Sequence, residues 1–100
     1  MANDLTKKPW FVDTASGTNL TNDEVVIDHI VCMGDASVAG DAAIVTDGSG
    51  RTIARFRATG ANFHDEQQFY GNQRNTPASR FTGLRVPTLT AGMQLYIHLA

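Results

Sequence analysis

The stretch Asp41 to Ala58, DAAIVTDGSGRTIARFRA, reads as two short β-strands joined by a tight reversal. Its first arm is small, apolar and β-branched, which suits a pleated surface. Asp47 then precedes Gly48-Ser49-Gly50, and glycine is the residue that enters positive φ without steric cost, as a short hairpin loop requires. Past the turn, Thr52, Ala54 and Phe56 alternate with Arg51, Ile53, Arg55 and Arg57. Successive side chains of a strand point to opposite faces, so this arm has one packed face and one cationic face. A chain organised around such a hairpin is a β protein.

The same pattern extends outward. The last segment alternates most regularly, with Met93, Leu95, Ile97 and Leu99 on one face and Gln94, Tyr96 and His98 on the other. Glu24 to Met33 is rich in Val and Ile, and its interruption by Asp28 and His29 predicts that one face meets solvent or a partner. PWFVD is an apolar strand or anchoring arm, a short strand is expected near Glu66 to Phe69, and RFTGLRVP is a strand ended by Pro87. No segment repeats apolar residues at i, i+3, i+4 and i+7 over three turns, which argues against a substantial helix. About six to eight short strands separated by turn signals predict an all-β fold, a small antiparallel β-sandwich or jelly-roll-like barrel. Residues 1–100 are expected to form a single domain, with residues 1–8 as an N-terminal arm and 71–79 as a projecting loop.

Composition narrows the partners. With 42% hydrophobic and 18% charged residues the chain is ordinary globular material. Its formal charge of -2 offers no general attraction to a phosphate backbone, so no nucleic acid is expected. The longest apolar run, VVIDHIVCM, is broken by Asp28 and His29, and no membrane span or secretory signal is read; synthesis in the cytoplasm is the expectation. The one cysteine, Cys32, has no partner for an internal disulfide. Its apolar neighbours predict a buried, unreactive thiol.

The segments that might carry chemistry fall short of what that chemistry needs. A phosphate loop places Lys and then Ser or Thr after its second glycine, but Gly40 is followed by Asp41-Ala42 and a strand. An EF-hand needs oxygen ligands at alternating positions and a closing Glu, whereas Asp35 is followed by Ala36, Ser37 and Val38. In His64-Asp65-Glu66 only His64 and Glu66 share a strand face, two ligands where a structural zinc takes four. Ser37 and Ser49 sit in turns, not in a Gly-x-Ser-x-Gly elbow. The expectation is therefore no enzyme, with no catalytic residue, no cofactor and no metal. The competing reading is a metal-dependent enzyme or sensor built from His29, His64, His98, Asp65 and Glu66.

What remains is surface. Arg51, Arg55 and Arg57, joined by Arg80 and Arg85, are either a solvated face paired with acidic neighbours or a contact face for an acidic protein surface, which arginine serves through bidentate pairing. Trp10 and Phe11 either staple the sheet or dock onto a partner, and Phe69 and Tyr70 stand among amides, charges and glycines. These seven residues, Trp10, Phe11, Arg51, Arg55, Arg57, Phe69 and Tyr70, form the candidate partner interface. An alternative role is that of a host-recognition or carbohydrate-binding module, through Trp10, Tyr70 and Asn72 to Asn75.

Across most of the chain except residues 64–79, these motifs also carry a resemblance. PWFVDTAS, VVIDHIVCMGDASVAGDAAIVTDGSGRTI, TGANF and FTGLRVPTLTAGMQLYIHLA are similar to small virion proteins of tailed bacteriophages. The matching features are the loop Gly34-Asp35-Ala36-Ser37, the hairpin Ile44 to Gly50 and the closing motif from Val86 to Leu99. The resemblance implies a structural virion protein of the capsid decoration or cement type, lying on the capsid surface. Its implied partner is the major capsid protein. A homo-oligomer, with a trimer favoured, would match the local symmetry of a shell.

Overall fold

The computed structural model describes residues 3–6, 9–69 and 80–99. Among these residues seven strands follow in order: β1 (Trp10–Val12), β2 (Thr21–Gly34), β3 (Ala42–Asp47), β4 (Thr52–Arg57), β5 (Phe63–Gln68), β6 (Arg80–Leu89) and β7 (Gln94–Leu99). The fold is all-β, every pairing is antiparallel, and the strand order is β1-β7-β2-β6-β3-β4 with β5 added against β2. It is a small β-sandwich or barrel-like fold built from one continuous, bent ladder.

The bend lies in β2. Its first part, from Thr21 to Val26, pairs with β6, and its second part pairs with β7 and β5. Between these parts Ile27 faces Leu99 and His29 faces His98, so Asp28 has no residue opposite it on β7. An extra residue of this kind bends its strand and sharpens the local twist. The interruption in VVIDHIV is thus a β-bulge. One strand can serve two sheets because of it, β1-β7-β2-β5 on one side and β2-β6-β3-β4 on the other.

Alternation then fills the space between the sheets. Ile27, Ile30 and Cys32 of β2 are fully buried with Val12, Val45, Leu84, Val86, Leu95 and Ile97, and Ala43, Ala54 and Phe56 join them. On β7 the apolar residues Leu95 and Ile97 face inward while Gln94, Tyr96 and His98 are half-buried on the other face. On β4, Ala54 and Phe56 are buried and Arg55 and Arg57 exposed. Thr52, expected on the packed face, is exposed, because Ile53 is the extra residue where Val45 faces Ala54 and Thr46 faces Thr52.

Two other expectations are corrected. Pro87 does not end its strand, since β6 runs on to Leu89. Along β3, Ile44 faces Thr88 and Thr46 faces Arg85, so Val86 and Pro87 together oppose Val45. A bulge is where a sheet accommodates a residue without an N–H. The strand expected near Glu66 begins earlier, at Phe63, because the outer half of β2 supplies pairing partners as far as Gly34.

The glycine-rich loops are turns held by their own polar groups. Asp47 Oδ1 accepts hydrogen bonds from the backbone N–H groups of Ser49 (2.9 Å) and Arg51 (3.0 Å) and from the Ser49 hydroxyl (2.8 Å). The Arg51 N–H foremost, then the Ser49 hydroxyl, holds this carboxyl below its usual range. Gly50 takes φ 93° at the reversal. In the other loop, Ser37 Oγ lies 2.7 Å from the carbonyl oxygens of Gly34 and Gly60, and Asp41 Oδ2 accepts from the Val38 N–H at 2.9 Å. The hairpin tip docks on β6, where a Cβ on Gly48 would lie 2.8 Å from the Thr82 carbonyl oxygen, and one on Gly83 (φ +78°) 2.8 Å from Gly48 Cα. Two backbones meet there with no room for a side chain.

The N-terminal segment folds back along β1. Asp4 and Phe11 exchange backbone hydrogen bonds of 2.8 and 2.9 Å, and Asn3 Oδ1 accepts from the N–H groups of Asp13 and Thr14. The projecting loop expected at 71–79 lies outside the described residues.

Candidate functional site

The topology leaves strands at the margins of the sheet, and these carry the candidate surface. β1 is covered by residues 3–6. β4 pairs only with β3, and β5 only with β2, so each presents one edge that meets no strand among the described residues.

The β4 edge carries two of the predicted arginines. Arg57 faces Ala42 and Arg55 faces Ile44 across the β3 ladder. The Ala58 N–H donates to the Asp41 carbonyl and its own carbonyl accepts from the Gly40 N–H, so the bonding residues of β4 are Ala58, Phe56 and Ala54. Hydrogen-bonded and non-bonded positions alternate in an antiparallel pair. The backbone groups of Arg55 and Arg57 therefore point off the free edge, while their side chains lie exposed on the outer face. Among the described residues neither arginine takes part in an ion pair.

The remaining arginines do not form one stripe. Arg51 sits at the turn, exposed, where its positive charge acts on Asp47. Arg80 pairs with Glu24 at 3.2 Å, and Arg85 donates from Nε to Asn19 Oδ1 (2.9 Å) and from its terminal nitrogen to the Gly48 carbonyl (3.3 Å). Arg85 thereby fixes the hairpin tip to the segment before β2. In the polar cleft over that tip, lined by Asn19, Asn22, Asp47 and Ser49 among others, the Asn19 amide is engaged at both ends, since its Nδ2 donates to Asn22 Oδ1 at 2.7 Å.

The aromatic candidates separate by face. Trp10 is half-buried and packs against the core. Phe11 stands on the outer face against Tyr96, with ring centroids 5.3 Å apart. Phe69 meets Phe81 edge to face at 5.6 Å and also packs against the core. Tyr70 and the segment Asn72 to Asn75 lie outside the described residues.

The β5 edge was not singled out as an interface. Its outer residues are almost all exposed, and it carries Asp65 and Glu66. Register places His64 opposite Met33, Glu66 opposite Val31 and Gln68 opposite His29, so these three share the outer face. The Gln68 side-chain amide donates to the Glu66 carboxylate. The signal in the sequence is His64-Asp65-Glu66, an acidic pair whose alternation puts His64 and Glu66 on one strand face.

Next to this edge the rings of His29 and His98 stack with centroids 4.0 Å apart and planes 13° apart. Asp28 Oδ2 lies 2.7 Å from His29 Nδ1. Burial first, then the neighbouring His29, pushes the His98 pKa down, against the opposing pull of Asp28 and Glu66. Parallel rings send their in-plane lone pairs in separate planes, a poor arrangement for sharing an ion. Among the described residues no group of three or more His, Cys, Asp or Glu side chains could hold a metal ion. Cys32 is buried and free, and burial together with the negative charge of Asp65 pushes its thiol up to about 12.

Comparisons with family models, with curated proteins and with solved structures return no match. The class that the geometry itself defines is a small all-β module that, among the described residues, has two open edges of opposite charge.

Proposed function

We propose that this protein is a structural component of a phage particle that binds the outside of the capsid and stabilises it by bridging major capsid subunits. The observation that carries the reading is the β4 edge. It offers unpaired backbone groups beside exposed arginines that have no ion-pair partner among the described residues, which suits an acidic or strand-bearing protein surface. The sequence resemblance to tailed-phage virion proteins supports the same role. Many copies on a shell would multiply modest contacts into avidity, so no single contact needs to be strong. Self-association into a symmetric oligomer, a trimer by preference, would fit the local axes of such a shell.

The sugar-binding alternative receives less support, because Trp10 packs against the core instead of standing exposed beside amides. The test is to compare particles with and without the protein. Particles carrying it should withstand higher temperature before releasing their contents, and Arg55→Glu with Arg57→Glu should reduce its occupancy on them. Equal heat resistance with and without the protein would refute the stabilising role.

A further inference from the structure

We infer that the partner of the β4 edge includes the β5 edge of a second copy of this same chain, so that copies associate head to tail. The argument begins with charge. β4, TIARFR, presents Arg55 and Arg57 on the outer face, and β5, FHDEQQ, presents Glu66 on the outer face with Asp65 beside it in sequence. Joining β4 of one copy to β5 of the next would continue one sheet into another, outer face beside outer face. The guanidinium groups of Arg55 and Arg57 would then stand across from Glu66, the cross-strand arrangement that opposite charges favour.

The two symmetric alternatives are disfavoured by the same residues. β4 against β4 sets arginine against arginine, and β5 against β5 sets carboxylate against carboxylate; like charges directly opposite are destabilising. Only the unlike edges match. An interface between two different patches of one molecule is heterologous, and its repetition gives a closed ring or an open chain. The arginines also explain why a long-lived exposed edge need not pair indiscriminately, since charged edge residues repel the wrong strand. This self-association concerns the isolated protein and does not depend on a capsid.

The experiment uses the full chain alone. Its mass is measured by light scattering at rising concentration in ~50 mM and ~500 mM salt, and hydrogen exchange is followed at single residues, since exposed ion pairs weaken at high ionic strength. The expected result is an oligomer that dissociates in high salt, with the Arg55 and Arg57 amides becoming protected on association. Arg55→Glu with Arg57→Glu should weaken association roughly ten-fold or more, as should Asp65→Arg with Glu66→Arg. Mixing the two variants, whose edges are again opposite, should restore it, an outcome that misfolding of either cannot produce. A monomer at every concentration in low salt overturns the inference. So does an oligomer in which the Arg55 and Arg57 amides exchange as fast as in the monomer, whatever the variants do. Failure of the unaltered protein to bind capsids, with its self-association intact, would count against the proposed function alone.

Discussion

His98 lies face to face with His29 at the point where β2 bends, its ring centroid 4.0 Å away and beside the unmatched Asp28. The pair sits half-buried on the outer face, so a positive charge on His98 would be poorly solvated and would lie against the His29 ring. This makes the bend sensitive to acid. The folded His98 pKa lies below its ordinary value of about 6.5, so the unfolded chain binds more protons as pH falls through that value. Stability therefore declines on acidification from about pH 7, and the loss is complete once pH passes below the folded pKa. His98→Gln should flatten this dependence. Urea midpoints at pH 7 and pH 5 test it, and an equal shift in the two proteins would contradict the assignment.

Gly83→Ala should be strongly destabilising. Its backbone has φ +78°, and an added Cβ would sit 2.8 Å from Gly48 Cα, which is backbone and cannot rotate aside. Strain of this kind costs about 1–3 kcal/mol before the steric clash is added. Gly17→Ala is the control, because nothing lies within 4 Å of a Cβ there. Its effect should fall within about 0.5 kcal/mol. Chemical denaturation of both variants separates the two cases, and similar midpoints would show that the hairpin tip does not pack on β6.

Leu95→Ala should cost about 2–5 kcal/mol, the usual range for removing a fully buried leucine. Leu95 is 0% exposed and lies between Val12 and Cys32 across two ladders, so its loss leaves a cavity shared by three strands. Thermal unfolding would reveal a cost below about 1 kcal/mol if that site could collapse.

Cys32 should resist thiol reagents. Its side chain is fully buried, and with a pKa of about 12 almost none of it is thiolate at neutral pH. Labelling with a disulfide reagent at pH 8 should be far slower than for free cysteine and should accelerate steeply in urea. Rapid labelling of the folded protein would mean that β2 opens locally.

The hairpin from Ala42 to Arg57 and the closing strand were legible in the sequence because alternation and turn glycines act locally. Arg55 and Arg57 were assigned to the outer face for the same reason. The bend at Asp28 was not legible, since a bulge is defined by the partner strand: Asp28 is supernumerary only relative to Leu99 and His98. Pro87 misled for the same cause, as a proline that ends one strand can occupy a bulge in another. The β5 edge escaped notice because a free edge is a property of the strand order. Asp65 and Glu66 gained meaning as an acidic margin only once β5 had been placed against β2.

β2 gives the molecule a mechanical character of its own. Because a single covalent backbone runs through both sheets, the halves cannot part by breaking hydrogen bonds alone; they must also straighten the bend. Tension applied across the molecule would thus be resisted by β2 as by a bent spring clipped along its length by β5, β6 and β7. A load borne by one sheet is thereby passed along β2 to the other, so the two sheets share it through one strand.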